Sequence, residues 1–198
     1  MAHRRTLAQR LRRVHQRQVS IDSRWLSSLS RQMANKNKIA TFGAGCFWGV
    51  ESAFRAVEGV VEAAVGYAGG TVPKPNYRAV CSGKTGHAEV VQVEYDPARV
   101  SFEQLLEVFW QIHDPTTLNR QGPDAGTQYR SIIFYSDDHE RMAAEESKRR
   151  LDESGRLARP VVTQVVPAAE FYRAEENHQR YYERSGIAPS CAIRERID

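Results

Sequence analysis

The sequence is poor in cysteine: Cys46, Cys81 and Cys191 are the only three among 198 residues, and none belongs to a C-x-x-C pair. An odd number so spaced disfavours a disulfide-stapled secreted scaffold or a zinc ribbon. It points instead to a reducing, cytoplasmic setting in which a cysteine matters for reactivity or for packing. Long apolar runs are missing too, since no stretch approaches the roughly 18 residues that would span a bilayer. A hydrophobic fraction of 41% beside 26% charged residues reads as a soluble globular protein with no membrane partner. No internal repeat is present, and the length suits a single domain with a sizeable core.

Acidic residues are scarce in one region. Residues 1–38 hold ten of the 28 Lys and Arg but only one of the 24 acids, Asp22, so the remainder carries 18 bases against 23 acids. The net charge of +4 therefore belongs to the N-terminal stretch, and nucleic acid is not expected as a partner of the domain. Residues 1–37 read as a basic extension, disordered or dispensable. An organelle transit peptide, a nucleic-acid contact and an upstream addition before a start at Met33 are the alternatives. Residues 38–198 read as one domain.

Within that domain β-rich runs alternate with helical ones. Lys38–Phe42 reads as a strand closed by a Gly43-Ala44-Gly45 turn, followed by a helix from Cys46 to about Val57 with Phe47, Val50, Phe54 and Val57 on one stripe. Further strands are expected at 60–66, 88–95, 129–135 and 161–166. A Gly/Pro loop covers 67–77, and a charged helix spans 137–154. Ser101 and Gln104 have capping-box spacing ahead of the apolar face Phe102, Leu105, Leu106, Phe109 and Ile112, which predicts a helix there. Residues 114–128 form a long polar loop of the length that usually carries function. A last amphipathic helix is expected over 174–184. Strands interleaved with singly striped helices imply a sheet covered by helices, α+β or α/β.

Cys46 lies where a glycine turn leads into a helix, so first-turn N–H groups would face its sulfur and favour thiolate. The plainer alternative is a buried structural cysteine. Trp48 falls on the polar arc of its helix, beside Ser52 and Arg55, where a large aromatic can wall a small apolar pocket. Phe47 lies on the core stripe. Glu89 heads the row Glu89, Val91, Val93 and Tyr95 on the apolar face of its strand. Burial there would raise its pKa and keep it protonated as a general acid, unless the strand end frays into water. Tyr77 and Tyr129 flank Gly/Pro loops and could donate hydrogen bonds to a polar oxygen, and Asp124 lies in the long loop; singly, each is an ordinary surface residue. Cys81, beside Val80 and a turn, reads as a small packed residue. His87, Glu89, Cys81, His113 and His178 have no zinc-motif spacing, so no metal is expected. A cysteine hydrolase using Cys46 with His87 or His178 remains the rival enzyme class.

These residues fall in a series of motifs: Gly45-Cys46-Phe47-Trp48-Gly49, Gly66-Tyr67-Ala68-Gly69-Gly70, Pro75-Asn76-Tyr77-Arg78, Thr85-Gly86-His87-Ala88-Glu89, His113-Asp114-Pro115, Gln121-Gly122-Pro123-Asp124-Ala125-Gly126-Thr127-Gln128-Tyr129 and Glu175-Glu176-Asn177-His178-Gln179. In order and spacing, from about Ile39 to about Tyr182, they resemble the A-type peptide methionine sulfoxide reductases. The resemblance implies a two-layer α+β sandwich, a mixed sheet with helices packed on it around a ferredoxin-like core. It also implies a monomeric, thiol-dependent oxidoreductase that repairs oxidised proteins by reducing the S epimer of methionine sulfoxide, free or protein-bound. By the same resemblance Cys46 is the nucleophile and Glu89 the proton donor. Phe47 and Trp48 receive the sulfoxide methyl group, while Tyr77 and Tyr129, helped by Asp124, hold its oxygen. Cys191 would resolve the Cys46 sulfenic acid into a disulfide. No cofactor is bound; thioredoxin, or dithiothreitol in vitro, is the external reductant. The chain departs from the family at its end, where Ala188-Pro189-Ser190-Cys191 replaces a Gly-Tyr-Cys-like stretch.

Overall fold

Alternation of apolar side chains builds a six-stranded sheet. Its strands are β1 (Lys38–Ala44), β2 (Val60–Ala68), β3 (Ala88–Tyr95), β6 (Ser131–Tyr135), β7 (Gln164–Pro167) and β8 (Tyr172–Arg173), in the spatial order β7-β6-β1-β3-β2-β8. A computed structural model describes residues 37–188. The expectations placed on residues 1–36 and on Cys191 lie outside the described residues. Neighbouring strands pair antiparallel except β7, which runs parallel to β6, so the sheet is mixed. Between its strands the chain forms α1 (Phe47–Arg55), α2 (Tyr77–Cys81), α3 (Phe102–Gln111) and α4 (Asp138–Glu153), and after β8 it forms α5 (Tyr181–Ser185). The path β1-α1-β2-β3-α3-β6 with central order β6-β1-β3-β2 is the split β-α-β arrangement of a ferredoxin-like core.

The helices α1, α3 and α4 bury their stripes on one sheet face. Phe47, Val50 and Phe54 meet Phe102, Leu105, Leu106 and Phe109, with Ala144, over Phe42, Val91 and Val93. Phe42 is fully buried and lies 5.0 Å from the Phe54 ring and 5.5 Å from Phe109. Truncating it leaves a cavity that rigid neighbours cannot fill, so Phe42→Ala is expected to cost about 3–5 kcal/mol. Urea unfolding checks this as a lowered midpoint with an unchanged slope. A smaller cluster, Ala68, Ala88, Val90, Ile132 and Phe134, covers the other face beneath Val166 and Phe171.

Where the structure departs from the sequence reading, backbone pairing decides. Gly43 and Ala44 do not turn; they continue β1 opposite Ile132 and Ser131. A Cβ on Gly43 would sit 2.7 Å from Ile132 Cγ2 and 3.0 Å from the Glu89 carbonyl, so its bare Cα allows close strand contact. The Ser101–Gln104 capping box forms in both directions ahead of α3, as expected. The helix expected over 174–184 is broken. A 3-10 turn at Glu176–His178 is separated from α5 by Arg180, which adopts a left-handed φ of 52°. Glu51, buried on α1, accepts the Arg180 N–H with both carboxylate oxygens at 3.0 and 2.8 Å. The Gln179 side chain, meanwhile, accepts from the Val65 N–H and donates to the Val65 and Ala174 carbonyls. These tertiary bonds outweigh local helical preference.

Candidate active site

Gly45 makes the turn out of β1 with φ of +93°, and a Cβ there would lie 2.6 Å from Gln121 Cγ. Glycine therefore ends the strand and presents Cys46 as the N-cap of α1. No side chain caps this helix and its first turn has no acid. Its N–H groups and the positive end of its dipole thus act on Cys46 and on Glu89, whose Oε2 accepts the Phe47 N–H at 3.1 Å.

Glu89 is 1% exposed, on the inner row of β3 opposite Tyr67. Burial is the main influence on its pKa, which rises from the ordinary 4.5 to about 7. The Phe47 N–H opposes the rise and the charge of Asp124 adds to it. Near neutral pH a large share of Glu89 thus carries a proton, beside a helix N-terminus that favours negative charge.

A cavity of about 290 Å³ joins these two residues. Cys46, Phe47, Trp48, Gly49, Tyr77, Glu89, Asp124, Tyr129 and Tyr182 line it, so every site residue expected from the sequence within the described residues meets here. The long polar loop supplies two of them through folded structure. β4 (Arg120–Gln121) and β5 (Asp124–Ala125) form a hairpin around Gly122-Pro123 that carries Asp124, and a 3-10 turn over Thr127–Tyr129 delivers Tyr129. Arg130 fastens that turn by donating to the Thr127 and Gly86 carbonyls. Tyr77 opens α2, a helix absent from the sequence reading. Asn76 caps this helix by accepting the Ala79 N–H, and Glu175 accepts the Tyr77 N–H at 2.9 Å. Burial, followed by a hydrogen bond with Cys81, pushes the Tyr77 hydroxyl well above its ordinary value. Burial first and Glu89 next push Tyr129 up to about 12. Both phenols therefore remain protonated donors across the working pH range.

Three sequence-level readings change. Trp48 does not face outward alone: it packs on the main core, and Tyr181 covers its indole at 3.8 Å with planes 8° apart. Cys81 is exposed at the end of α2 rather than packed. The cavity lining, among the described residues, contains no histidine. His178 lies behind the wall with Nδ1 accepting the Trp48 indole N–H, and His87 is held by the Gly70 N–H and the Val72 carbonyl. Among the described residues, then, neither histidine of the hydrolase reading lines the cavity with Cys46. Tyr181 and Tyr182 were missed. The adjacent pair of large aromatics stands in the sequence, but a continuous amphipathic helix over 174–184 absorbs it. Among the described residues no group of three or more His, Cys, Asp or Glu could hold a metal.

A cysteine at a helix N-terminus, a buried acid near neutrality and two phenol donors around one small cavity define a cysteine-dependent enzyme built for a substrate with a basic oxygen. The family model for peptide methionine sulfoxide reductases matches residues 38–197. A relative from Methanothermobacter thermautotrophicus, "Peptide methionine sulfoxide reductase MsrA", is 63% identical over 146 residues, covering 74% of this chain and 86% of its own. The reduced crystal form of Mxr1 from Saccharomyces cerevisiae superposes with a TM-score of 0.75 at 37% identity, covering 81% of this chain and 93% of that one. Mxr1 in complex with Trx2 matches with a TM-score of 0.55 at 28% identity, over 81% and 91% of the two chains. The chain belongs to the peptide methionine sulfoxide reductase family, and it is a thiol-dependent enzyme of the A type.

Proposed function

We propose that Cys46 reduces methionine-S-sulfoxide, free or within proteins, by taking up its oxygen while Glu89 supplies the proton. One observation carries this reading: the cavity sets the N-cap sulfur beside a carboxyl group whose pKa is raised to about 7. Sulfoxide oxygen leaves poorly until protonated, so a thiolate alone is insufficient. Tyr77 and Tyr129 donate to the oxygen as negative charge grows on it, Asp124 supports the polar side of the cavity, and Phe47 and Trp48 enclose the methyl group. The Cys46 thiolate attacks the sulfoxide sulfur. Overall the sulfoxide S–O bond breaks and an Sγ–O bond forms: the substrate leaves as the thioether, reduced by two electrons, and Cys46, oxidised by two, becomes sulfenic acid with the Glu89 proton on its oxygen.

Cys191 then attacks the sulfenic sulfur, water leaves, and a Cys46–Cys191 disulfide forms. The dithiol of a thioredoxin-class protein reduces that disulfide by exchange. Support for this partner comes from the Mxr1–Trx2 complex. Cys191→Ser is expected to release about one equivalent of methionine per protein but to stop thioredoxin-driven cycling. Repeated turnovers with thioredoxin in that variant would remove Cys191 from the scheme. The basic extension takes no part in this chemistry, and a chain starting at Met33 is expected to keep the full single-turnover rate. The few, unpaired cysteines of the sequence support a reducing, cytoplasmic setting for the protein.

A further inference from the structure

We infer that His178 is the positioning residue of the cavity: one buried imidazole orients Trp48 through its indole N–H and supports Tyr77 through its ring face. The inference rests on the sulfoxide reading above and adds the element that sets its substrate affinity.

His178 is 6% exposed and does not line the cavity, yet it touches three side chains that do. The Trp48 Nε1–H donates to His178 Nδ1 at 3.2 Å. The ring centroids are 5.8 Å apart with planes only 21° apart. With that hydrogen bond, such values mean two rings lying edge to edge in nearly one plane. Tyr181 holds the indole by its face, so Trp48 is fixed both in and across its plane. On its own face His178 receives the Tyr77 ring at 4.4 Å, and Phe47 approaches at 5.6 Å.

An indole N–H can only donate, so Nδ1 must keep its lone pair and the ring proton sits on Nε2. Burial lowers the His178 pKa against the pull of Glu175, in keeping with a neutral ring. The imidazole cannot retreat. Its backbone N–H bonds the Glu175 carbonyl, Gln179 is tied to Val65 of β2, and the Arg180 N–H is held by Glu51. Without the acceptor, a half-buried indole N–H is left unsatisfied and turns toward water. The wall against the methyl group is then lost, while the reacting sulfur and its acid stay in place.

Two variants separate the acceptor from the ring. His178→Asn returns an oxygen near the position of Nδ1 without the ring, whereas His178→Phe keeps the ring and removes the acceptor. The methyl group is untouched by the reaction, so its wall contributes equally to ground and transition states. His178→Phe is therefore expected to raise KM for methionine sulfoxide about tenfold with kcat nearly unchanged. His178→Asn should stay within about threefold of the parent KM. In nitrogen-15-labelled protein the Trp48 indole N–H resonance, identified by its loss in Trp48→Phe, should be downfield and slow to exchange in the parent and in His178→Asn. In His178→Phe it should be upfield and fast. Equal KM losses in both variants, or an indole resonance unchanged in His178→Phe, would overturn the inference. If the resonance behaves as expected but no sulfoxide is reduced by any form, the substrate reading fails while the positioning contact stands.

Discussion

Replacing Cys46 by serine is expected to abolish methionine formation, lowering the rate by on the order of 10⁴-fold or more, without weakening the fold. A serine hydroxyl is far less nucleophilic than a thiolate and has no sulfenic acid chemistry, so neither half of the cycle survives. Stability should move the other way. Cys46 occupies the N-cap of α1 with no side-chain cap bond, and serine is a preferred residue there, able to accept a first-turn N–H. A gain of up to about 1 kcal/mol is expected. Urea unfolding of the reduced protein beside a methionine-release assay checks both. An inactive variant with a sharply lowered midpoint would mean that Cys46 acts through structure rather than chemistry.

The second large effect belongs to Glu89→Gln. The amide oxygen can still accept the Phe47 N–H, so the site keeps its shape while losing its transferable proton. The first turnover is expected to slow by about 10²–10⁴-fold. Since burial lifts Glu89 to about 7, the acid form of the parent diminishes as pH rises through that value. The single-turnover rate should fall along that limb, and the limb should vanish in Glu89→Gln. Stability has the same sign. Between the ordinary 4.5 and about 7 the folded state keeps a proton that the unfolded chain releases. The contribution is therefore complete below the lower value and is lost as pH rises through the upper one. Stopped-flow methionine release and urea midpoints from pH 5 to 9 test both statements. A parent rate that rises steadily across pH 7, or a limb that persists in the variant, would rule Glu89 out as the proton source.

Much of this site could be read from residue order because its chemistry is local. Gly45 followed by Cys46 announces a strand end and a helix start, and the alternation from Glu89 to Tyr95 places a carboxyl group on an apolar row; β3 and α3 follow their side-chain periodicity closely. What escaped depends on residues far apart in the chain. Trp48 owes its orientation to His178 and Tyr181, and the break at Arg180 to Glu51. The periodicity of 174–184 contains no trace of either bond. The loop over 114–128 read as unstructured because a two-residue ladder has too few positions to show alternation, although Gly122-Pro123 marks its turn. The exposed state of Cys81 was hidden for a related reason: α2 is held by the Asn76 cap and by Glu175, and its five residues are too few to show a stripe.

The most direct test mixes fully reduced protein with each epimer of methionine sulfoxide separately, without reductant. It then measures methionine released together with dimedone labelling of each cysteine in Cys191→Ser. We expect about one equivalent of methionine from the S epimer, essentially none from the R epimer, and a dimedone adduct confined to Cys46. Methionine released while Cys46 stays an unmodified thiol, or equal consumption of both epimers, would contradict a cavity in which this sulfur attacks and Glu89 supplies the proton.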